Sequence, residues 1–353
     1  MFGSLQDLFR SNMNSKQYTP FLVGVPVILP TGEKLVLKIS PPQPMKTEGF
    51  RFSKFYYCTE IRGGGFHEAG FGEAEFPLLA IQKSISEAVE RILFRALKGT
   101  THGTPNSNGW AAHVNKEAAE KAALYELLER DAVLVHWFSK TPFSRIQNNE
   151  LPKWLLAWSD QNLKKSVFPE VRVLISHAGH APTVSTQFLN ADGHGVISHA
   201  AGDSLENALV RAFAETCRLA RMAVSHRYYT TSRQLLDFET PLTSNPVGPA
   251  EQAVAYAHHF RFPAWLSNET IHWKQAKAQW NRHLRQFTKN PIRHEFNEII
   301  SAPLSAGYCT SLDVQNLFFG RTEDAKQKNI LNFERLGRLK TKEAINQLPH
   351  FVA

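Results

Sequence analysis

Two apolar runs near the start of the chain, Phe21-Leu-Val-Gly-Val-Pro-Val-Ile-Leu29 and Lys34-Leu-Val-Leu-Lys-Ile39, flank Pro30-Thr-Gly-Glu33. That pattern predicts two strands joined at a Pro/Gly turn. A glycine-dense stretch follows (Gly63, Gly64, Gly65, Gly70, Gly72) and leads through Pro77 into an apolar-periodic segment ending near Lys98-Gly99. Proline inside the start and glycine past the end bound a helix there. Beyond the polar loop Thr100 to Asn108, a second helix is predicted from about Lys116 to Phe138. Strands are predicted at Glu170 to Ser176 and Thr183 to Leu189, with Asn190-Ala-Asp-Gly193 as the turn that follows.

A third helix begins at Asp203 or Ser204, both good N-caps, and runs to about Arg221. Leu205, Ala208, Leu209, Ala212, Phe213 and Thr216 fall on one face of it, with Glu215 beside them. Further helices are expected around Pro249 to Phe260, Trp273 to Phe287 and residues 323–346. Strands and helices mixed without a strict βα rhythm predict an α+β or mixed α/β fold. No clean linker interrupts the chain: a strand-rich segment, 1–60, is expected to continue into a larger domain, 61–353, as one structural unit.

A chain of 353 residues with 42% hydrophobic content can bury a sizeable core. No run is long and apolar enough to span a bilayer, and Met1 to Arg10 lacks the order of a signal peptide, so a cytoplasmic location is expected. Cys58, Cys217 and Cys309 are too few and too far apart for a disulfide framework or a CxxC zinc site. The formal charge of +8 is scattered rather than gathered into a stripe with aromatics, which makes nucleic-acid binding the weakest reading. Among the 15 histidines, His177/His180 and His258/His259 lack the acidic or cysteine company of a metal site.

The strongest chemical signal is a repeated acidic signature. Glu87-Ala-Val-Glu90-Arg91 and Glu126-Leu-Leu-Glu129-Arg130 lie 39 positions apart (126 − 87), each in a predicted core helix. The i, i+3 spacing places each pair of carboxylates on one helical face. Each pair alone also fits a solvated face with local ion pairing; two copies on helices this apolar favour a shared cation site. Carboxylate oxygens suit Mg²⁺, which is ordinarily held by a few carboxylates together with substrate phosphates. No GxxxxGK[ST] loop is present and the glycine cluster has the wrong spacing for GxGxxG, so the ordinary P-loop and Rossmann readings lose weight.

Gly72-Phe-Gly-Glu-Ala-Glu-Phe-Pro with the helix through Ser84 to Glu87-Ala-Val-Glu90-Arg91 resembles the first helix motif of YcaO-domain proteins. Ser107-Asn-Gly-Trp-Ala-Ala112 with Glu126-Leu-Leu-Glu129-Arg-Asp-Ala132 resembles that family's S-N-G-x-A-A and E-L-[IL]-E-R-D-A hallmark, and Ala208 to Glu215 with Arg218 is similar to its later helix. The resemblance covers roughly residues 62–225. It implies the YcaO fold, the cofactors ATP and Mg²⁺, and activation of a peptide-backbone amide. Carried over by position, it implies Glu87, Glu90, Glu126, Glu129 and Glu215 as Mg²⁺ ligands, with Ser84, Arg91, Ser107, Asn108, Arg130 and Arg211 toward the nucleotide. Arginine after each acidic pair also reads as a structural partner of a carboxylate.

The chain departs from the family in two places. Ala118 stands where relatives carry a second acidic residue, which only a register shift of Glu117 or Glu120 would replace. Pro349-His-Phe-Val-Ala353 keeps one proline of the usual three in the tail. The expected activity is cyclodehydration of Cys, Ser or Thr in a ribosomally made precursor peptide to azolines. Its rivals are thioamidation beside a TfuA-like protein and a non-catalytic nucleotide-binding scaffold. A peptide substrate, an E1-like or other leader-binding partner and a homodimer belong to the same expectation.

Overall fold

The computed structural model describes residues 24–46, 49–101, 106–176, 182–225, 256–258, 261–286, 293–298 and 304–310. The contacts divide the chain into two compact units, residues 1–47, 51–127 and 291–311 in the first and residues 48–50, 128–290 and 312–353 in the second. Outside the described residues lie His177, His180 and His259, the 323–346 segment, Pro349 to Ala353, and all of the Pro249 to Phe260 helix except helical residues 256–258.

The first unit opens with the expected hairpin, β1 (Gly24–Ile28) and β2 (Lys34–Ile39), antiparallel about a turn in which Gly32 takes φ +81°. Short β3 (Gln43–Pro44) and a second hairpin, β4 (Phe55–Gly63) with β5 (Phe66–Ala74), complete a five-stranded sheet. This second hairpin occupies the stretch that its glycines had marked only as the approach to a helix. Gly64 and Gly65, at φ +55° and +82°, supply its two-residue turn, for which left-handed backbone suits glycine. β4 carries the sheet across residue 60 without a break.

The helix α1 (Pro77–Leu97) begins at Pro77 as expected and packs against β4 and β5. Leu78, Ile81, Ile85, Ala88, Val89 and Ile92 recur at three and four residue intervals and are buried. Fully enclosed side chains such as Ile85 and Ile92 each contribute on the order of 2 kcal/mol by leaving water. Gly70 and Gly72 admit the helix: a Cβ on Gly72 would lie 1.7 Å from the Ala80 carbonyl oxygen, and one on Gly70 2.1 Å from that of Ser84. The glycine cluster is thus a close-approach surface between strand and helix. A small sheet in the order β12 (Arg293–Glu298), β13 (Ser305–Thr310), β6 (Trp110–His113) also meets α1, and Trp110 packs edge-on to Phe94 and beside Tyr308.

Helix α2 (Lys116–Ser139) is close to its predicted span, and the unit boundary falls within it between Leu127 and Leu128. The Asn115 side chain caps it by accepting the Ala118 N–H at 2.8 Å. From Asp131 to Phe138 every residue is buried, the polar Asp131 and His136 included, so this end of the helix is enclosed all round rather than striped.

The second unit holds a sheet in the order β10 (Gly195–Ala201), β9 (Thr183–Leu189), β8 (Glu170–Ser176), β7 (Ser144–Ile146), β11 (Glu269–Ile271). β8 and β9 match their predicted spans residue for residue. Helix α3 (Lys153–Asn162) lies between the predicted second helix and the strand at Glu170, where no element was expected. Helix α4 (Leu205–Val224) is capped by Ser204, whose hydroxyl accepts the Asn207 N–H. Its predicted face is buried on β9 and β10, with Thr216 and Thr186 hydroxyls 2.5 Å apart and Phe213 edge-on to Phe188. Helix α5 (Trp273–Gln286) closes the described part of this unit near its predicted place.

Candidate functional site

In the first unit the candidate residues come from α1, the loop before β6 and the front of α2. Glu87 is held against β5: the Phe71 N–H donates to its Oε2 at 2.5 Å, and Arg91 donates to its Oε1 at 2.6 Å. Arg91 also donates to the Ala69 carbonyl at 3.1 Å, which makes it a clamp between α1 and the strand. Glu90, one turn on, is half-buried, as is Glu126 on α2. Ser84 is turned elsewhere. Fully buried, its hydroxyl lies 2.6 Å from that of Thr59 and donates to the Ile81 carbonyl, so its polar capacity is spent inside the helix-sheet contact.

The Ser107-Asn108-Gly109 loop is shaped by its glycine. Gly109 takes φ +76°, and a Cβ there would stand 2.5 Å from the Cys309 carbonyl oxygen, whose residue donates its own N–H to Gly109 at 2.9 Å. Ser107 is half-buried and Asn108 is 3% exposed. Among the described residues neither the Nδ2 nor the Oδ1 of Asn108 has a hydrogen-bond partner. A buried amide in that state costs about 1–3 kcal/mol, which a ligand with complementary groups recovers.

In the second unit Glu129 is the centre. It is 6% exposed, and burial drives its carboxyl above the usual carboxylate range, against the opposing pull of Arg130, Arg211 and the Ala201 N–H; nearby Glu215 adds to the rise. Arg130 Nη1 is 3.9 Å from Glu129, Arg211 donates to the Ala201 carbonyl at 3.0 Å, and Arg218 donates to Glu215. β10, α2 and α4 therefore bring two carboxylates and three guanidiniums into one electrostatic neighbourhood. The Ala201 backbone amide is a participant that no side-chain pattern announced. Arg218, which sequence gave only as part of a helix motif, is the group that holds Glu215.

The carboxylates suit Mg²⁺ by the chemistry of their oxygens. Among the described residues no three His, Cys, Asp or Glu gather into a metal cage. Mg²⁺ does not require one, since one or two carboxylates with waters and phosphate oxygens complete its octahedron. α2 runs unbroken from its Asn115 cap, so no register shift moves Glu117 or Glu120 into the place of Ala118.

The family described as YcaO cyclodehydratase, ATP- and Mg²⁺-binding, matches residues 80–304, well over half of the chain. The chain belongs to the YcaO family. Its cofactors as a YcaO protein are ATP and Mg²⁺, and its kind is that of an ATP-dependent cyclodehydratase-type enzyme. The YcaO fold is shared with the YcaO of Methanopyrus kandleri, solved with AMPPCP and Mg²⁺, at 11% identity and a TM-score of 0.52 over 83% of this chain and 89% of that one. It is shared also with a heterocyclase solved in complex with substrate and cofactor, at 13% identity and a TM-score of 0.55. This YcaO chain is 88% covered in that comparison but spans only 54% of the heterocyclase. No curated protein sequence matches it. No helix among its described residues is long and apolar enough to cross a membrane.

Proposed function

We propose that this YcaO protein activates a backbone amide of a peptide at the expense of ATP, and that the product is an azoline. The observation that carries the proposal is Glu129, a wholly buried acid set among Arg130, Arg211 and Glu215. A carboxylate so placed costs several kcal/mol unless cationic groups answer it. The arrangement suits a site that receives polyphosphate and its counter-cation together. Glu87, Glu90, Glu126, Glu129 and Glu215 are the proposed Mg²⁺ ligands; Asn108 offers an amide to the nucleotide, Ser107 a hydroxyl, and Arg130 and Arg211 positive charge. When bound, the cation neutralises charge on the transferring phosphoryl group.

The reaction balances as follows. A Cys, Ser or Thr side chain attacks the carbonyl carbon of the preceding amide, giving up its proton, and the carbonyl oxygen becomes an oxyanion. That oxyanion takes the γ-phosphoryl group from ATP, releasing ADP. Phosphate then departs with the former amide oxygen, the nitrogen loses its proton, and a C=N bond forms within the ring that the side chain's attack had closed. Arg130 and Arg211 are suited to hold the phosphoryl oxygens in this scheme. A peptide as the substrate, delivered by an E1-like or other leader-binding protein, is part of this proposal.

Calorimetric titration of ATP with and without Mg²⁺, on wild type and Glu129→Gln, tests the reading. Binding that needs Mg²⁺ and is lost in the variant is expected; binding of equal strength in both proteins overturns the assignment. Mass analysis of a modified peptide separates the rival chemistry, since cyclodehydration removes one water and thioamidation exchanges oxygen for sulfur.

A further inference from the structure

The outer face of the first-unit sheet sets two like charges, Lys38 and Arg62, directly opposite each other. Gly24, Lys38, Arg62 and His67 are directly paired, strand to strand, across β1, β2, β4 and β5. Lys38, Arg62 and His67 are all exposed, and Lys34 is exposed on the same face of β2. Like charges set directly opposite across an antiparallel pair are destabilising, so Lys38 against Arg62 lowers the stability of the free sheet. Among the described residues no carboxylate forms an ion pair with Lys34, Lys38 or Arg62; Glu60, on the same face, lies 3.2 Å from His67. Between the two lysines stands Val36, 45% exposed, and beside Lys34 stands Ile28, 47% exposed, both large apolar side chains in water.

We propose that this face docks an extended acidic peptide segment belonging to the substrate. Strands about 4.8 Å apart, with same-face residues about 6.8 Å apart along each, form a grid that matches an extended chain alternating acidic and apolar side chains. Its carboxylates meet Lys34, Lys38 and Arg62, and its apolar residues cover Val36 and Ile28. A second copy of the same face is excluded as occupant by its own charge. Three cations fall short of the neutralisation that a nucleic-acid duplex or an anionic membrane calls for. The edge of β1 is not the docking element: Pro26, at its middle, has no N–H to offer another strand.

The inference rests on the proposed peptide substrate, and its test is separable from that of the activity. The probe is a fluorescein-labelled decapeptide alternating glutamate and valine, read by anisotropy without nucleotide at low and physiological salt. A lysine-valine peptide, an oligouridylate and phosphatidylglycerol vesicles serve as comparisons. The expected result is salt-sensitive binding of the acidic peptide that falls at least tenfold in Lys38→Glu/Arg62→Glu, with Mg²⁺-dependent ATP binding unchanged. Lys38→Gln/Arg62→Gln, which relieves the repulsion, keeps or raises Tm and still weakens the peptide. Absence of acidic-peptide binding, equal affinity in either double variant, or tighter capture of the oligouridylate or the vesicles overturns the proposal. Loss of ATP binding in the wild type strikes the activity instead.

Discussion

Ser84 and Thr59 face each other across the contact between α1 and β4 with their hydroxyl oxygens 2.6 Å apart, out of reach of water. Family resemblance sends Ser84 toward nucleotide, whereas this geometry makes it a fastening between helix and sheet. Ser84→Ala should cost about 1–3 kcal/mol, because Thr59 is left buried without its partner. ATP affinity should stay within about twofold of wild type. Urea unfolding beside calorimetry checks both; a stable variant that no longer binds ATP restores the nucleotide role.

Asn108 should behave in the opposite way. Its amide has no partner among the described residues, so Asn108→Ala removes a buried group that hydrogen bonds do not repay, offsetting the small cavity left behind. Stability is expected to change by less than about 1 kcal/mol while ATP binding weakens roughly tenfold. Unchanged affinity would exclude the amide from the nucleotide site.

Gly72→Ala tests the close approach of β5 to α1. With the Ala80 carbonyl oxygen 1.7 Å from the added Cβ, backbone must move, and a loss on the order of 3 kcal/mol is expected. Gly65→Ala, where a Cβ meets nothing within 4 Å, should cost only the strain of its positive φ. Equal Tm losses at the two positions would refute the packing argument.

Glu150 supplies a pH dependence. Hydrogen bonds from His272 and from the Trp273 N–H hold its carboxyl below the usual carboxylate range. A depressed folded pKa stabilises the protein above the unfolded value, about 4.3, and that stabilisation is lost as pH falls through the folded value. Between pH 6 and pH 3, roughly the window spanning those values, wild type should lose more Tm than Glu150→Gln. Parallel Tm curves would show that the contact has no such linkage.

How far the sequence leads depends on what kind of signal an element carries. α1, α2 and α4 were legible because apolar spacing and caps such as Pro77 and Ser204 act within a few residues. β4 and β5 were hidden because Gly70 and Gly72, read locally, mark irregular backbone; their purpose is a helix lying against them. α3 was missed behind Pro152, which ends one segment and caps the next. The acidic pairs were visible as types and spacing, and so were their arginines. Whether Arg91 grips a strand or a ligand depends on the Ala69 carbonyl, which no side-chain pattern reveals.

The small sheet in the first unit joins Trp110 on β6 to Tyr308 on β13, partners separated by 198 positions (308 − 110). Among the described residues, everything else that packs on α1 in that unit lies within a short stretch of chain, from β1 to β6. During synthesis the two hairpins and α1 can therefore collapse early on local contacts, while the wall carrying Trp110 waits for nearly two hundred more residues. In that interval the growing chain holds a helix with one side finished and the other, around Phe94 and Trp110, still open to water. The last-made of the unit's described strands are thus the ones that seal helix α1.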